Sequence, residues 1–184
     1  MSHGPLLFTP SAGPEYPRWS ETLRDRSHVL IRPILPQDKE AERAFIEGLS
    51  AEARRYRFLG QVKCPSDAML ERFTHVDYVH EVAFVAVVAE DGHDRIVGVS
   101  RYSTDQEGTQ CECAVTVSDA WQHKGLGTLL MRHLIEVARA RGIRRMSSID
   151  SAENVQMRDL ARYLGFQSRV DPDDASQVIY ELSL

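Results

Sequence analysis

The stretch Gln122-His123-Lys124-Gly125-Leu126-Gly127 lies between an apolar run at residues 114–117 and a helical pattern that ends at Gly142. A strand, a short basic turn and a helix start leave backbone N–H groups and the positive end of the helix dipole directed at an anion. Glycine at positions 125 and 127 lacks a Cβ, so the backbone can approach a phosphate closely. The stretch therefore predicts a site for a pyrophosphate-bearing ligand, and the alternative is a helix start whose glycines serve only packing.

Two other phosphate-binding loops do not fit this stretch. The P-loop ends in Gly-Lys-Ser/Thr, whereas Lys124 precedes its glycine. The dinucleotide fingerprint needs a third glycine, where this chain has Leu130, and an acidic residue roughly 20 positions further on. Asp150 alone does not restore that pattern.

Composition indicates an ordinary globular protein. The chain has 184 residues, of which 42% are hydrophobic and 27% charged. We expect an irregular arm at residues 1–20, rich in Pro, Gly and Ser, followed by one domain at residues 21–184. The net charge of −5 argues against a nucleic-acid partner. Because the chain contains neither a signal-peptide pattern nor an apolar run near the ~20 residues of a membrane span, we predict a cytoplasmic protein without a membrane partner.

The three cysteines, Cys64, Cys111 and Cys113, are an odd number and cannot all pair. On a strand, Cys111 and Cys113 share one face. We interpret all three as reduced thiols, as expected in the cytoplasm. No Cys-x-x-Cys spacing is present, so we predict no metal site.

The order of strand and helix patterns predicts a mixed sheet covered by helices. Strand patterns cover residues 21–24, 28–32, 82–88, 95–102, 110–117, 144–149, 166–170 and 177–182. Helix patterns begin near Pro36, Ser50, Ser66, the glycine stretch and Asn154.

Residues 115–131 resemble motif A of the GNAT superfamily, the acyl-CoA-dependent N-acetyltransferases, including its Gln/Arg-x-x-Gly-x-Gly/Ala core. Residues 153–157 and the sequence Tyr163-Leu164-Gly165-Phe166 resemble motif B. The resemblance implies the α/β GNAT fold, in which helices flank a mixed, mostly antiparallel sheet of six to seven strands. It also implies acetyl-CoA as cosubstrate and an amine as acceptor.

Residues 16–19, 30–34, 54–58 and 112–115 are similar to the acetyltransferase domain of Pat-type protein lysine acetyltransferases. This narrower resemblance implies that the acceptor is a protein lysine. Two alternatives remain: an enzyme for small-molecule amines, and a non-catalytic acyl-CoA-binding module. The oligomeric state is open.

The resemblance implies that backbone groups on the strand hold the pantetheine arm, and that backbone N–H groups of the loop hold the pyrophosphate. The cosubstrate site would then consist of Val115, Val117, Gln122, His123, Lys124, Gly125, Leu126, Gly127, Thr128 and Asn154. The His123 and Lys124 side chains either reach phosphates or are simply solvated. Asn154 either binds the pantetheine or caps its own helix.

Glu112 is the candidate catalytic residue. An ammonium is not a nucleophile, so a base must remove a proton from the acceptor, directly or through water. Strand parity places Glu112 with Ala114 and Thr116, and the Pat-type pattern has a general-base glutamate at this position. The alternative is a solvated or ion-paired edge residue. Many GNAT enzymes carry an acid tyrosine where this chain has Ala161, so the proton donor for CoA is unassigned.

The run Arg54-Arg55-Tyr56-Arg57-Phe58 allows two interpretations. One is a basic rim that contacts an acidic protein or a phosphate. The other, which we favour, is a solvated arginine face opposite an aromatic face that packs on the core.

Overall fold

The computed structural model describes residues 18–59 and 64–184. Predictions that concern residues 1–17 lie outside the described residues. The described residues form one eight-stranded sheet with the order β1-β2-β3-β4-β5-β6-β8-β7. Its strands are β1 Trp19–Thr22, β2 His28–Pro33, β3 Glu81–Glu90, β4 His93–Thr104, β5 Gln110–Val117, β6 Arg145–Ser151, β7 Gln167–Val170 and β8 Gln177–Ser183.

The predicted mixed, mostly antiparallel sheet is confirmed. Every neighbouring pair of strands is antiparallel except β5 and β6, which run parallel. The sheet has eight strands rather than six to seven, because β1 and β7 add short edge strands of four residues each. Strand β1 begins at Trp19, inside the predicted irregular arm, because Trp19 pairs opposite Ile31 and stacks on His133.

Helices cover both faces of the sheet. They are α1 Lys39–Gly48, α2 Ala51–Phe58, α3 Asp67–Thr74, α4 Leu126–Ala140 and α5 Val155–Leu164. One apolar core lies beneath α1 and α3 and contains Phe45, Leu70 and Val85. The other lies beneath α4 and α5 and contains Leu130, Met146 and Met157. Helix α4 ends before Gly142, whose φ of 83° fits the predicted C-terminal glycine.

Helix α4 lies directly on β4 at Gly98. A Cβ atom at this position would be 2.9 Å from Leu130 Cδ1 and 3.2 Å from Leu126 Cδ2. Both leucines are fully buried, so neither can move without disturbing the core. This contact fixes the height of α4 above the strands that carry the candidate site.

Replacing Gly98 with Ala is therefore expected to lower the free energy of unfolding by about 1 to 3 kcal/mol, because the added methyl overpacks the core. Urea unfolding followed by circular dichroism measures the change. Gly48→Ala is the matched control, since a Cβ there has nothing within 4 Å. A Gly98→Ala variant as stable as Gly48→Ala would contradict the close packing.

Among the residues that the structure describes, no helix has the length and apolar character needed to cross a membrane.

Candidate active site

Strands β5 and β6 separate part of the way along their length. They pair from Gln110 opposite Arg145 to Glu112 opposite Ser147, and in the described chain no later residues of the two strands pair. Beyond this point β5 stays paired with β4 as far as Val117, while β6 stays paired with β8. The gap between the strands opens into a cleft of about 940 Å³.

The backbone polar groups of Val115 and Val117 face this cleft. The Val117 carbonyl accepts a hydrogen bond from Gln122 Nε2 at 3.3 Å, whereas the next N–H, of Ser118, donates to the Val97 carbonyl of β4 at 2.9 Å. Polar groups of a strand backbone alternate in direction, so Val115 shares the orientation of Val117. These groups can bind an extended amide-containing arm such as pantetheine.

The loop before α4 is shaped as an anion cradle. His123 and Gly125 have φ angles of 63° and 87°, both in the left-handed region. The first helical hydrogen bond runs from the Leu129 N–H to the Gly125 carbonyl, so the N–H groups of residues 126–128 precede the helical ladder. Gly125 has no side chain to cap them, and all three residues line the cleft. Such a nest of N–H groups at a helix start fits a pyrophosphate.

An ion pair holds the Lys124 side chain. Its Nζ pairs with Asp25 Oδ2 at 2.8 Å and lies 4.6 Å from the centre of the Trp121 ring. Lys124 does not line the cleft, because Asp25 in the β1–β2 turn holds its ammonium elsewhere. Arg24 does line the cleft, and its Nε lies 3.4 Å from the place that a Cβ on Gly125 would occupy.

Side chains of the loop fix its position. Gln122 donates to the Val117 carbonyl and accepts from Gln156 Nε2 at 3.1 Å, which links β5, the loop and α5. His123 lines the cleft, with its Nε2 3.5 Å from the same Gln156 nitrogen. The Gln122 side chain therefore links the loop to β5 and α5 and leaves the backbone N–H groups of residues 126–128 facing the cleft.

Asn154 caps α5. Its Oδ1 accepts a hydrogen bond from the Met157 N–H at 3.1 Å, which confirms the capping alternative. Asn154 also lines the cleft, and its amide nitrogen donates to no acceptor within the described chain. The same residue can thus cap the helix with its oxygen and bind pantetheine with its nitrogen.

Two substitutions separate these functions of Asn154. Asn154→Ala is expected to lower the free energy of unfolding by about 1 kcal/mol. Asn154→Ser keeps a capping oxygen, so it should change the free energy of unfolding by only about a few tenths of a kcal/mol. Both variants lack the amide nitrogen, so we expect both to bind acetyl-CoA several-fold more weakly. Unfolding curves and calorimetric titration measure the two effects. Wild-type affinity in Asn154→Ser would leave Asn154 with the capping function alone.

Glu112 lies where β5 and β6 part. It is the last residue of β5 that pairs with β6, its side chain is exposed, and it lines the cleft. The predicted parity is confirmed, since Cys111 and Cys113 are buried on the opposite face. Glu112 also lines a second cavity of about 190 Å³.

Asp150 and Arg57 are two charged residues of the cleft lining whose pKa values are shifted. Asp150 of β6 accepts a hydrogen bond from the Ser148 hydroxyl at 2.5 Å, and burial raises the pKa of this carboxyl. Burial lowers the pKa of Arg57 to about 10, despite attraction to the carboxylates of Glu112 and Asp150. Sequence patterns did not assign either residue to the site: Asp150 entered only as part of a rejected fingerprint, and Arg57 as part of a basic run.

No tyrosine occupies the usual acid position in α5. Ala161, at that position, is buried against the core. Tyr163 is 64% exposed, and its hydroxyl accepts a hydrogen bond from Arg132 at 3.0 Å. In the described part of the chain, no cluster of His, Cys, Asp and Glu is arranged to hold a metal ion.

Known proteins share this architecture. The model of the Acetyltransferase (GNAT) family matches residues 40–166. Acetyltransferase PA5475 of Pseudomonas aeruginosa is 52% identical over 173 residues, which cover 94% of this chain and 93% of that protein. Acetyltransferase Pat of Mycolicibacterium smegmatis is 32% identical over 144 residues, which cover 78% of this chain and 42% of that protein.

The solved GNAT domain of S. lividans PAT has the same fold. It superposes with a TM-score of 0.83 at 29% identity, over 92% of this chain and 100% of that one. The chain therefore belongs to the Acetyltransferase (GNAT) family and is an N-acetyltransferase.

Proposed function

We propose that this enzyme transfers the acetyl group of acetyl-CoA to a primary amine, with a protein lysine as the favoured acceptor and Glu112 as general base. One observation carries the proposal. The carboxylate of Glu112 lies where β5 and β6 separate, in the same cleft as the N–H groups that begin α4. Residues 21–184 would then act as one acetyltransferase domain.

The donor half of the site fits acetyl-CoA. The loop at residues 122–128 offers N–H groups for the pyrophosphate, and Arg24 adds a positive charge beside Gly125. Backbone groups of Val115 and Val117 then point at the pantetheine arm. An arm held there directs the thioester toward Glu112 on the same strand.

The chemistry follows from the position of Glu112. The acceptor arrives as an ammonium and must lose a proton before its nitrogen can attack the thioester carbon. Glu112 takes a proton from this nitrogen, directly or through water. The nitrogen–carbon bond forms, the carbon–sulfur bond breaks, the nitrogen releases its second proton to solvent, and the CoA sulfur takes a proton from solvent. The transfer therefore occurs in one ternary complex.

A covalent route through cysteine is disfavoured. Cys113 lines the cleft next to Glu112, but burial raises the pKa of its thiol well above the usual range. Burial likewise raises the pKa of Cys111 to about 12. Because the thiolate is the nucleophile, neither cysteine is suited to accept the acetyl group. Direct attack by the acceptor amine is the simpler path.

A protein lysine is favoured because the Pat-type resemblance extends beyond motif A. The similarity to Acetyltransferase Pat and to the GNAT domain of S. lividans PAT supports this assignment. The cleft is also lined by residues of α2 and α3, which gives a protein segment room to reach Glu112.

A thiol-release screen tests the proposal. Purified enzyme with acetyl-CoA is offered lysine peptides, an acyl-CoA synthetase, amino acids, polyamines and aminoglycosides, and mass spectrometry locates the added acetyl group. Cys64 is exposed, so Cys64→Ser is used to remove its reaction with the thiol reagent. We expect N-acetyl-lysine in peptide or protein. Turnover with small amines alone would overturn the acceptor assignment, and CoA binding without turnover on any amine would indicate a binding module.

A further inference from the structure

Helix α2 carries the basic run and contributes residues to the lining of the cleft. Its N-cap, Ser50, accepts a hydrogen bond from the Ala53 N–H at 3.1 Å. The Ser50 N–H donates to Asp119 Oδ2 at 2.9 Å, which ties the start of the helix to the segment before the anion loop. The helix contacts both β5 and β6, the two strands that separate at Glu112. Side chains of α2 are thus fixed relative to the reacting groups.

The side chains of the run point in different directions. Arg55 pairs with Glu153 at 3.2 Å, and the Tyr56 hydroxyl donates to the Glu153 carbonyl at 3.4 Å. Phe58 stacks on Phe73 at 6.4 Å, as expected of an aromatic face. Arg57 is the exception to the predicted solvated arginine face, because it turns into the cleft.

The Arg57 guanidinium is held by rings but not by hydrogen bonds. It lies 5.0 Å from the centre of the Phe58 ring and 5.5 Å from that of Phe73. Across residues 18–59 and 64–184 it donates to no acceptor, although a guanidinium has five N–H groups. Arg57 and Glu112 both line the cleft and the smaller cavity, so both border the region between these two spaces.

Two of the carboxylates that attract Arg57 have other partners. Glu42 lies 3.8 Å from Arg101, and Asp150 accepts from Ser148. In the proposed reaction, Glu112 takes a proton from the acceptor nitrogen. The N–H groups of Arg57 thus remain available for a planar anion, which a guanidinium binds through two parallel hydrogen bonds.

We infer that Arg57 binds a carboxylate of the acceptor, so that the enzyme selects amines with a carboxylate close to the reacting nitrogen. For a protein substrate this means a lysine with an acidic residue beside it. The inference rests on the proposed function and adds a specificity to it. Such an acceptor places its ammonium at Glu112 and its carboxylate at Arg57. A polyamine or aminoglycoside instead brings a second positive charge to the guanidinium and is disfavoured.

Matched peptides test this selection. Each acetylated and amidated peptide has one central Lys, with Asp within two residues of it in one set and Asn at the same place in the other. We expect wild-type kcat/KM to be about tenfold or more higher for the Asp set, as is typical for a charge-assisted hydrogen bond. Arg57→Gln should abolish the preference while the KM for acetyl-CoA stays unchanged. Arg57→Lys should keep part of it, and Arg57→Glu should favour peptides with a second Lys.

Arg55→Gln is the control from the same helix, because Arg55 pairs with Glu153 and does not line the cleft. It should keep the wild-type preference. Equal rates of the wild-type enzyme on both sets would overturn the inference and leave the proposed function intact. A rise in the KM for acetyl-CoA in Arg57→Gln would also overturn the inference, because Arg57 would then bind acetyl-CoA and not the acceptor. Failure of the wild type on every lysine peptide would instead contradict the proposed function.

Discussion

Replacing Glu112 with Gln is expected to lower kcat by a factor of roughly 10² to 10⁴, the usual contribution of a positioned general base. Gln has nearly the same shape as Glu but cannot take up a proton from the acceptor nitrogen. The side chain is exposed and lies at the end of the β5–β6 pairing, so the substitution should leave the fold intact. The dissociation constant for acetyl-CoA should stay within about twofold of wild type, since backbone groups bind the donor.

Single-turnover kinetics and calorimetric titration with acetyl-CoA separate these two effects. Glu52→Gln is the matched control. It removes the same charge from the lining of the same cleft, but Glu52 lies in the first turn of α2 and not on β5. That variant should retain near wild-type kcat. If Glu112→Gln keeps full activity on every accepted amine, Glu112 is not the base.

Local patterns were enough to predict the turn and helix start at the glycine stretch and the side-chain faces of β5. The glycine stretch placed a turn and a helix start within a few residues of each other, and the φ of 87° at Gly125 shows why this position needs glycine. Strand parity put Glu112 opposite Cys111 and Cys113. Both features depend on residues that are neighbours in sequence, where periodicity and turn chemistry dominate.

Contacts between distant segments were not predictable in the same way. Nothing near Lys124 indicates that Asp25 would pair with it, or that Arg24 would lie beside Gly125. The inward direction of Arg57 depends on Phe73, a residue of another helix. A single sequence gives no measure of such pairings, because each depends on how separate elements pack.

The candidate active site depends both on local sequence patterns and on contacts between distant segments. The position of β5 and the faces of its side chains can be predicted from the sequence. The cleft, however, exists because β6 pairs with only the first part of that strand. Pairing partners of a strand are set by the whole sheet, and Asp150 lines the site only because β6 turns away from β5. A predicted strand thus carries the proposed catalytic residue, and the sheet topology creates the cleft beside it.

Replacing Gly127 with Asp is expected to weaken acetyl-CoA binding by about 100-fold or more while the protein becomes slightly more stable. A Cβ at this position would lie 3.6 Å from Leu160 Cδ2 and 3.8 Å from Val117 Cγ2, which are ordinary contacts. An acid in the first turn of α4 stabilises the helix by about 0.3 to 1 kcal/mol, and the change from Gly to Asp adds only about a few tenths of a kcal/mol of helix propensity. The same carboxylate would occupy part of the pyrophosphate site and would repel the negative charge of the pyrophosphate.

Opposite changes in stability and affinity distinguish a binding site from a packing contact. If Gly127 served only the packing of α4, any side chain that weakened function would act through the fold and lower the unfolding free energy as well. Gly127→Asn separates size from charge: it should reduce affinity less than Asp, and only the Asp variant should recover part of its affinity at high salt, where repulsion is screened. Urea unfolding and titration with acetyl-CoA at two salt concentrations measure both quantities. Wild-type affinity in Gly127→Asp would contradict a pyrophosphate at the start of α4.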